Sequence, residues 1–185
     1  MRKRVVIPAV LLVAVIAVSV GLYLFQPWRI FTSSTLIEDV PAAATPAAQP
    51  GTQQSAGPAA PPAVAPVPVP RELATGRLIS HEHASSGTVK ILELANGSRI
   101  LRFEGLDTSD GPDLHVWLTN APVIEGSGGW YVFDDGAYLD LGALKANKGD
   151  QNYEIPAATE LGDYSSVSIW CARFAVSFAA AELNT

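Results

Sequence analysis

The chain has 185 residues, with 12 Lys and Arg against 18 Asp and Glu, a formal net charge of −6 and one cysteine. Such an acidic chain lacks the basic face that nucleic-acid phosphates require, so nucleic acid is excluded as a partner. A single cysteine excludes an intramolecular disulfide, a CxxC dithiol and a metal site built only from cysteines. The length accommodates one ordinary domain with flanking segments.

The first segment, residues 1–28, is predicted to be a membrane anchor. Basic residues at positions 2–4 precede an uncharged run from Val5 to Phe25. As a helix this run would rise about 30 Å, which matches the hydrocarbon core of a bilayer. A cleavable signal peptide with its site at 17–19 is the alternative, but the apolar run is longer than an ordinary signal core. The positive-inside rule predicts a single-pass protein of the cell membrane, with the N-terminus in the cytoplasm and the rest extracytoplasmic.

The second segment, residues 29–70, is predicted to be a juxtamembrane stretch followed by a disordered linker rich in proline and alanine. Residues 41–70 contain nine prolines and no charged residue. Proline interrupts both helices and strand ladders, so this part is expected to be extended, with an upper reach of about 90 Å. Such a tether would carry a domain well away from the membrane. A glycosylated stalk is the alternative interpretation.

Residues 71–185 are predicted to fold as an all-β domain, either an antiparallel β-sandwich or a small barrel. Short runs of strand-forming residues alternate with turn clusters, at a spacing that is typical of these folds. No stretch of ten residues shows a convincing helical period. The predicted strands are 76–84, 87–95, 98–106, 113–120, 130–133, 151–156, 166–172 and 174–183.

Asn96-Gly97 gives the strongest local signal in this domain, because it separates two runs of strand-forming residues. Both residues tolerate positive φ, so the pair predicts a hairpin with a type I′ turn. In the first arm, Lys90 and Glu93 would point to opposite faces, which indicates a bulge near Ile91-Leu92. In the second arm, a strict alternation places Leu101 and Phe103 on one face.

Cys171 is the first candidate functional residue. In an exported protein an unpaired thiol is unusual, and Arg173 would share its strand face and favour the thiolate. A redox thiol or a soft metal ligand is one interpretation. The other is a small buried side chain, which is how most free cysteines behave.

Two further patterns are candidates for metal ligands. His81 and His83 would face the same way on a strand and could bind copper or zinc, but two solvated histidines are the alternative. The carboxylates of Asp107, Asp110 and Asp113 could hold Ca²⁺, although Asp-Gly-Pro in the same loop also forms a turn without a metal. The CxxCH motif is absent, which excludes covalent c-type haem, and the familiar hydrolase, nucleotide and zinc-protease motifs are absent too. The sequence therefore identifies no cofactor and no enzyme activity.

Three ordered segments carry a resemblance to a known family. They are GPDLHVWL at 111–118, LGALKANKGDQNYEIP at 141–156 and IWC at 169–171. Together they resemble the hallmarks of the electron-transfer DM-thirteen domain. The resemblance covers roughly residues 76–184, and Ala146 stands where the family usually has glycine.

The resemblance implies an extracytoplasmic β-sandwich with a redox role. The family carries a cysteine at the position of Cys171, and Tyr153 within its GDQNYEIP segment is a second redox candidate. In animals the domain occurs beside DOMON domains, which resemble haem-binding cytochrome modules, so a redox or cell-surface protein partner is expected. Two alternatives stay open: a non-catalytic binding or adhesion domain, and a metal-binding module.

Overall fold

The computed structural model describes residues 2–41 and 69–185, so the linker prediction for 42–68 falls outside the described residues. One α-helix, α1 (Arg2–Phe25), precedes the strands. In the described parts of the chain, no helix combines the length and the apolar character that crossing a membrane requires. The strands are β1 (Thr35–Ile37), β2 (Arg71–Arg77), β3 (Ile79–Ser80), β4 (Ser86–Glu93), β5 (Arg99–Asp107), β6 (Leu114–Thr119), β7 (Tyr138–Ala143), β8 (Lys148–Ile155), β9 (Ser166–Cys171) and β10 (Val176–Glu182).

These strands form two five-stranded sheets, which confirms the all-β prediction and its sandwich form. The first sheet has the order β1-β8-β5-β4-β2 and the second β3-β10-β9-β6-β7. All strand pairs are antiparallel except β1 with β8, which is parallel. The core lies where alternate apolar residues of the two sheets meet, as the two-residue period of a strand requires. Its fully buried members include Val89, Leu101, Phe103, Val116 and Ile169.

The predicted strand at 130–133 is wrong. These residues follow a short 3-10 helix, Gly126–Gly129, and belong to a connection that covers the outer face of the second sheet. Phe133 is fully buried there, with its ring centroid 6.3 Å from that of Trp170. The aromatic residues of this run are therefore explained by burial and not by strand formation, because both features favour the same residue types.

The predicted strand at 76–84 is divided between the two sheets. β2 ends at Arg77 in the first sheet, and β3 begins at Ile79 in the second. Leu78 is buried between them in the core. His81 to His83 then form a bend.

The hairpin between β4 and β5 is confirmed, but the type I′ turn is wrong. The loop has three residues, 95–97, in which Gly97 has a φ of 81° and Asn96 does not have a positive φ. The carbonyl of Leu94 accepts from the Gly97 N–H at 2.8 Å. The Asn96 side-chain oxygen accepts from the Ser98 N–H at 2.9 Å, so this residue caps the turn instead of adopting a left-handed conformation.

The predicted bulge is also displaced. The irregularity lies in β2, where Leu73 is the extra residue opposite the Ile91-Leu92 step of β4. Ile91 belongs to the central core. Leu92 lies on the other face, where it is buried against Val40. Both faces of β4 are covered at this point, so the consecutive apolar residues Ile91 and Leu92 are both buried without a bulge in β4.

β1 was not predicted, and it adds part of the juxtamembrane stretch to the folded unit. Glu38 N–H donates to the Asp150 carbonyl at 2.9 Å, and Lys148 N–H donates to the Ser34 carbonyl at 3.1 Å. Gly149 permits this approach, because a Cβ there would lie 2.1 Å from the Leu36 carbonyl oxygen. The first sheet therefore includes a strand from the sequence that precedes the linker.

Candidate functional site

Cys171 ends β9, where it pairs with Leu114 of β6 and Val176 of β10. Its thiol is free and fully buried in the core between the sheets. Burial raises the pKa of the Cys171 thiol, although backbone N–H groups of the following turn act in the opposite direction. The neutral thiol is therefore the form that this environment favours at physiological pH.

The predicted support of a Cys171 thiolate by Arg173 is wrong. Arg173 lies in the turn after β9, and its side chain is directed towards the end of α1. There its Nη1 donates to the Leu24 carbonyl at 2.7 Å. β9 ends at Cys171 and residues 172–175 reverse the chain, so Arg173 does not continue the alternation of the strand. Ala175 in this turn has a φ of 49°, which is uncommon for a residue with a side chain.

Three stacked aromatic rings connect the surface with the residue next to Cys171. The Tyr138 ring lies 3.9 Å from the Trp117 ring at an angle of 9°, and Trp117 lies 5.0 Å from Trp170 at 24°. Tyr138 is 47% exposed, whereas Trp170 is 2% exposed. The rings thus form a continuous π contact across the outer face of the second sheet, from solvent to the residue preceding Cys171.

The stack was not predicted from the sequence, because β7 was not predicted. The run AYLDLGA contains Asp140 and Gly142, which are common in turns. The Asp140 carboxylate accepts from the Gly142 N–H at 2.8 Å, so these residues form a local hydrogen bond within the strand. The alternation of Leu139 and Leu141 with polar neighbours was the available strand signal.

Tyr153 is held in a hydrogen-bonded cluster inside the domain. Its hydroxyl donates to Gln151 Oε1 at 2.8 Å and accepts from the Lys145 N–H at 2.9 Å. Gln151 also bonds the N–H and the carbonyl of Ala146, at 3.2 and 2.6 Å. Burial raises the pKa of Tyr153 to about 12. These contacts fix the turn before β8 and give the GDQNYEIP segment a structural role.

Arg102 of β5 is a buried cation on the outer face of the first sheet. Its guanidinium donates to the carboxylates of Glu104 at 3.1 Å and Asp150 at 3.2 Å. It also donates to Asn152 Oδ1 and to the Glu38 carbonyl, both at 2.9 Å. The buried charge is thus neutralised and hydrogen-bonded, as burial of a cation requires.

The structure does not bring His81 and His83 together as ligands. His81 Nδ1 lies 2.8 Å from Ser177 Oγ, and its Nε2 lies 3.1 Å from the Ile124 carbonyl oxygen. Burial lowers the pKa of His81, which favours a neutral ring that donates from Nε2 and accepts at Nδ1. The His83 ring instead packs against Phe178, with centroids 4.1 Å apart. Both nitrogens of His81 are therefore already engaged.

The three carboxylates of the 107–113 loop do not share a partner either. Within residues 2–41 and 69–185, no group of three or more His, Cys, Asp or Glu side chains is arranged to hold a metal ion. Each carboxylate has a different basic partner: Lys148 for Asp107 at 2.8 Å, Arg29 for Asp110 at 3.2 Å and His115 for Asp113 at 3.5 Å.

The fold and these sites define a β-sandwich domain with a buried free thiol and an aromatic stack that reaches the surface. The family model described as "Electron transfer DM13" matches residues 77–183. The chain belongs to this family, which confirms the resemblance found in the sequence. No curated protein matches the chain, and no solved structure matches it.

Proposed function

We propose that this chain is a membrane-anchored, extracytoplasmic electron-transfer domain. Membership of the electron-transfer family over residues 77–183 supports the general role. The observation that carries the proposal is the aromatic stack, which provides a route between a partner at the surface and the region of Cys171. Tryptophan and tyrosine are among the side chains most easily oxidised by one electron, and stacked rings couple their π systems.

The anchor is proposed from α1. Its run from Val5 to Phe25 is uncharged, and Leu11, Val13 and Ile16 are 61%, 66% and 53% exposed. A helix with apolar residues on all sides is unfavourable in water and favourable in lipid. Alkaline carbonate extraction of cell membranes tests the anchor: the chain is expected in the membrane pellet, and recovery in the supernatant would contradict it.

In this proposal Cys171 is the internal redox group. Exchange with an external thiol or disulfide requires physical contact, which the buried sulfur does not offer. Transfer of single electrons requires no such contact. Tyr138 would give an electron to an oxidised haem or copper centre of a partner protein and its phenolic proton to water. Trp117 and Trp170 would then pass the oxidation along the outer face and across the second sheet to the thiol, while the Tyr138 radical takes back an electron from Trp117 and a proton from water. Cys171 would lose its S–H proton to water and become a thiyl radical, so that the net change is one electron to the partner's metal centre and one proton to water.

Photo-oxidation tests this route. The full chain is exposed to photogenerated ruthenium(III) tris-bipyridine, a one-electron oxidant, and is then unfolded and titrated with a maleimide to count intact Cys171. Tyr138→Phe is expected to preserve more of the thiol, because phenylalanine is much harder to oxidise. Tyr131→Phe is the matched control, since Tyr131 is also exposed, at 58%, and lies outside the stack. Equal loss of thiol in the two variants would contradict the proposal.

A further inference from the structure

Residues 34–40, which we name the docking strand, occupy the edge of β8. The family match begins at residue 77, so the edge belongs to the family domain and its occupant comes from outside the matched range. The pairing register is Thr35 with Lys148, Leu36 with Gly149 and Ile37 with Asp150. Peptide segments that complete a sheet in this way gain affinity from main-chain hydrogen bonds and selectivity from side-chain pockets.

Glu38 provides the most specific contact of the docking strand. Its carboxylate accepts from Lys145 Nζ at 2.9 and 3.0 Å and from the Asn152 N–H at 2.7 Å. Although burial acts to raise the pKa of Glu38, these donors and the Arg102 charge hold it below the usual value. The carboxylate is therefore bound in its charged form by groups of β8 and of the turn before it, and the Arg102 charge of β5 adds to this.

The backbone after Glu38 is also held. The Asp39 carbonyl accepts from Asn152 Nδ2 at 2.8 Å, and Val40 packs on the outer apolar cluster of the first sheet. At the other end, the Ser34 N–H donates to Asn147 Oδ1 at 2.7 Å. The docking strand is thus fixed along its whole length, by side chains as well as by the strand ladder.

The end of α1 and the residues just after it contact the same domain at a second place. Arg29 forms an ion pair with Asp110 at 3.2 Å, and the rings of Phe25 and Phe174 are stacked with centroids 5.8 Å apart. Phe174 lies in the turn between β9 and β10, next to the buried end of β9. These contacts place the Cys171 end of the sandwich beside the C-terminal end of α1.

The linker joins two edges of one sheet. β1 and β2 are at opposite ends of the first sheet, four strand spacings apart. At about 4.8 Å for each spacing, the separation is roughly 19 Å, far less than the upper reach of about 90 Å for residues 41–70. While the docking strand is bound, the linker does not determine the distance between α1 and the domain.

We propose that the docking strand is an intrachain ligand of the β8 edge that holds the domain at the end of α1. While it is bound, the contacts of the docking strand set the distance between α1 and the domain, and the length of the linker limits that distance only after release. The position at a membrane surface rests on the proposed function, whereas the binding of 34–40 to β8 does not. The domain accordingly presents its β9–β10 turn to the membrane and its Tyr138 surface to solvent.

Cleavage of the linker tests this proposal in the full chain. A specific protease site is inserted between Gln54 and Ser55, the protein is placed in phospholipid nanodiscs, and the linker is cut. We expect the fragment that contains the β domain to remain bound to the N-terminal fragment during gel filtration. Separation of the fragments, with circular dichroism showing that the β domain is still folded, would overturn the proposal.

Glu38→Gln and Asp39→Asn form a matched pair, because they are adjacent and change the charge equally. The Asp39 side chain is exposed and makes no hydrogen bond to a described residue, whereas Glu38 accepts three. Glu38→Gln is expected to weaken fragment binding by at least about tenfold and Asp39→Asn to leave it unchanged. Equal binding by both variants would overturn the role of Glu38. Lipid association of the N-terminal fragment is read separately, so failure of the anchor is distinguished from failure of docking.

Discussion

Replacement of Tyr153 by phenylalanine provides the sharpest test of the cluster that precedes β8. The change keeps the ring, its contact with Phe103 and the Lys145 ammonium group 5.1 Å above it. It removes the hydroxyl that bonds Gln151 and the Lys145 N–H. Gln151 Oε1 still accepts from the Ala146 N–H, so the Lys145 N–H is the group that loses its partner. The loss of a buried hydrogen bond of this kind costs about 1–3 kcal/mol, so we expect a loss of about 2 kcal/mol at neutral pH.

The pH dependence separates this effect from a loss of packing. The pKa of Tyr153 is about 12 in the folded protein, against 10.0 for an unperturbed tyrosine. Because the folded pKa is raised, the stabilisation is complete below about pH 10 and is lost as pH rises towards about 12. This difference in pKa corresponds to about 2–3 kcal/mol in the free energy of unfolding. Phenylalanine has no such titration, so the stability difference between the two proteins should narrow through this range.

Urea unfolding followed by tryptophan fluorescence at several values between about pH 8 and pH 11 measures this difference. Subtracting the two curves removes the contribution of the other tyrosines and lysines, which both proteins share. By about pH 11 the advantage of the original protein should have fallen by roughly 1.4 kcal/mol. Parallel stability curves would refute the raised pKa, and identical stability near neutrality would refute the hydrogen-bonded cluster.

Two further substitutions address the first sheet. Arg102→Ala should destabilise the domain by about 1–3 kcal/mol in urea unfolding, because this buried side chain loses its hydrogen bonds to Glu38, Asn152, Glu104 and Asp150; a loss below about 0.5 kcal/mol would contradict this. Gly149→Ala should free the N-terminal strand, since φ is 100° and the new methyl would lie 2.1 Å from the Leu36 carbonyl oxygen. Hydrogen exchange of the Glu38 N–H should then accelerate, and unchanged protection would count against the close approach.

Strand alternation predicted much of the sandwich, because the core faces obey a two-residue period. Leu101 and Phe103 were expected on one face of β5, and both are in the core. The same alternation places Arg102 on the opposite face, but its burial was not predictable from β5 alone. The residues that cover it come from the segment around Glu38, which precedes the linker. Long-range coverage of this kind leaves no local signal in the sequence.

For the candidate site too, the sequence predicted the local strand but not the groups that pack around it. The sequence correctly placed Cys171 in a strand next to Trp170. Its chemical environment depends on the tight turn at 172–175, which directs Arg173 away. The partner rings of Trp170 come from β6 and β7, so the stack exists only after three distant strands have paired. Residue types gave the candidates, and tertiary packing decided which groups surround them.

The parallel strand at the margin of the first sheet has a practical consequence for recombinant work. A fragment that starts at residue 71 would present the backbone N–H and carbonyl groups of β8 without their partner. A strand whose backbone groups are unpaired can pair with a strand of another copy and form a continuous sheet. Such a fragment would therefore tend to self-associate and precipitate, and the shortest well-behaved version of this domain must carry residues 34–40, in the same polypeptide or as an added peptide.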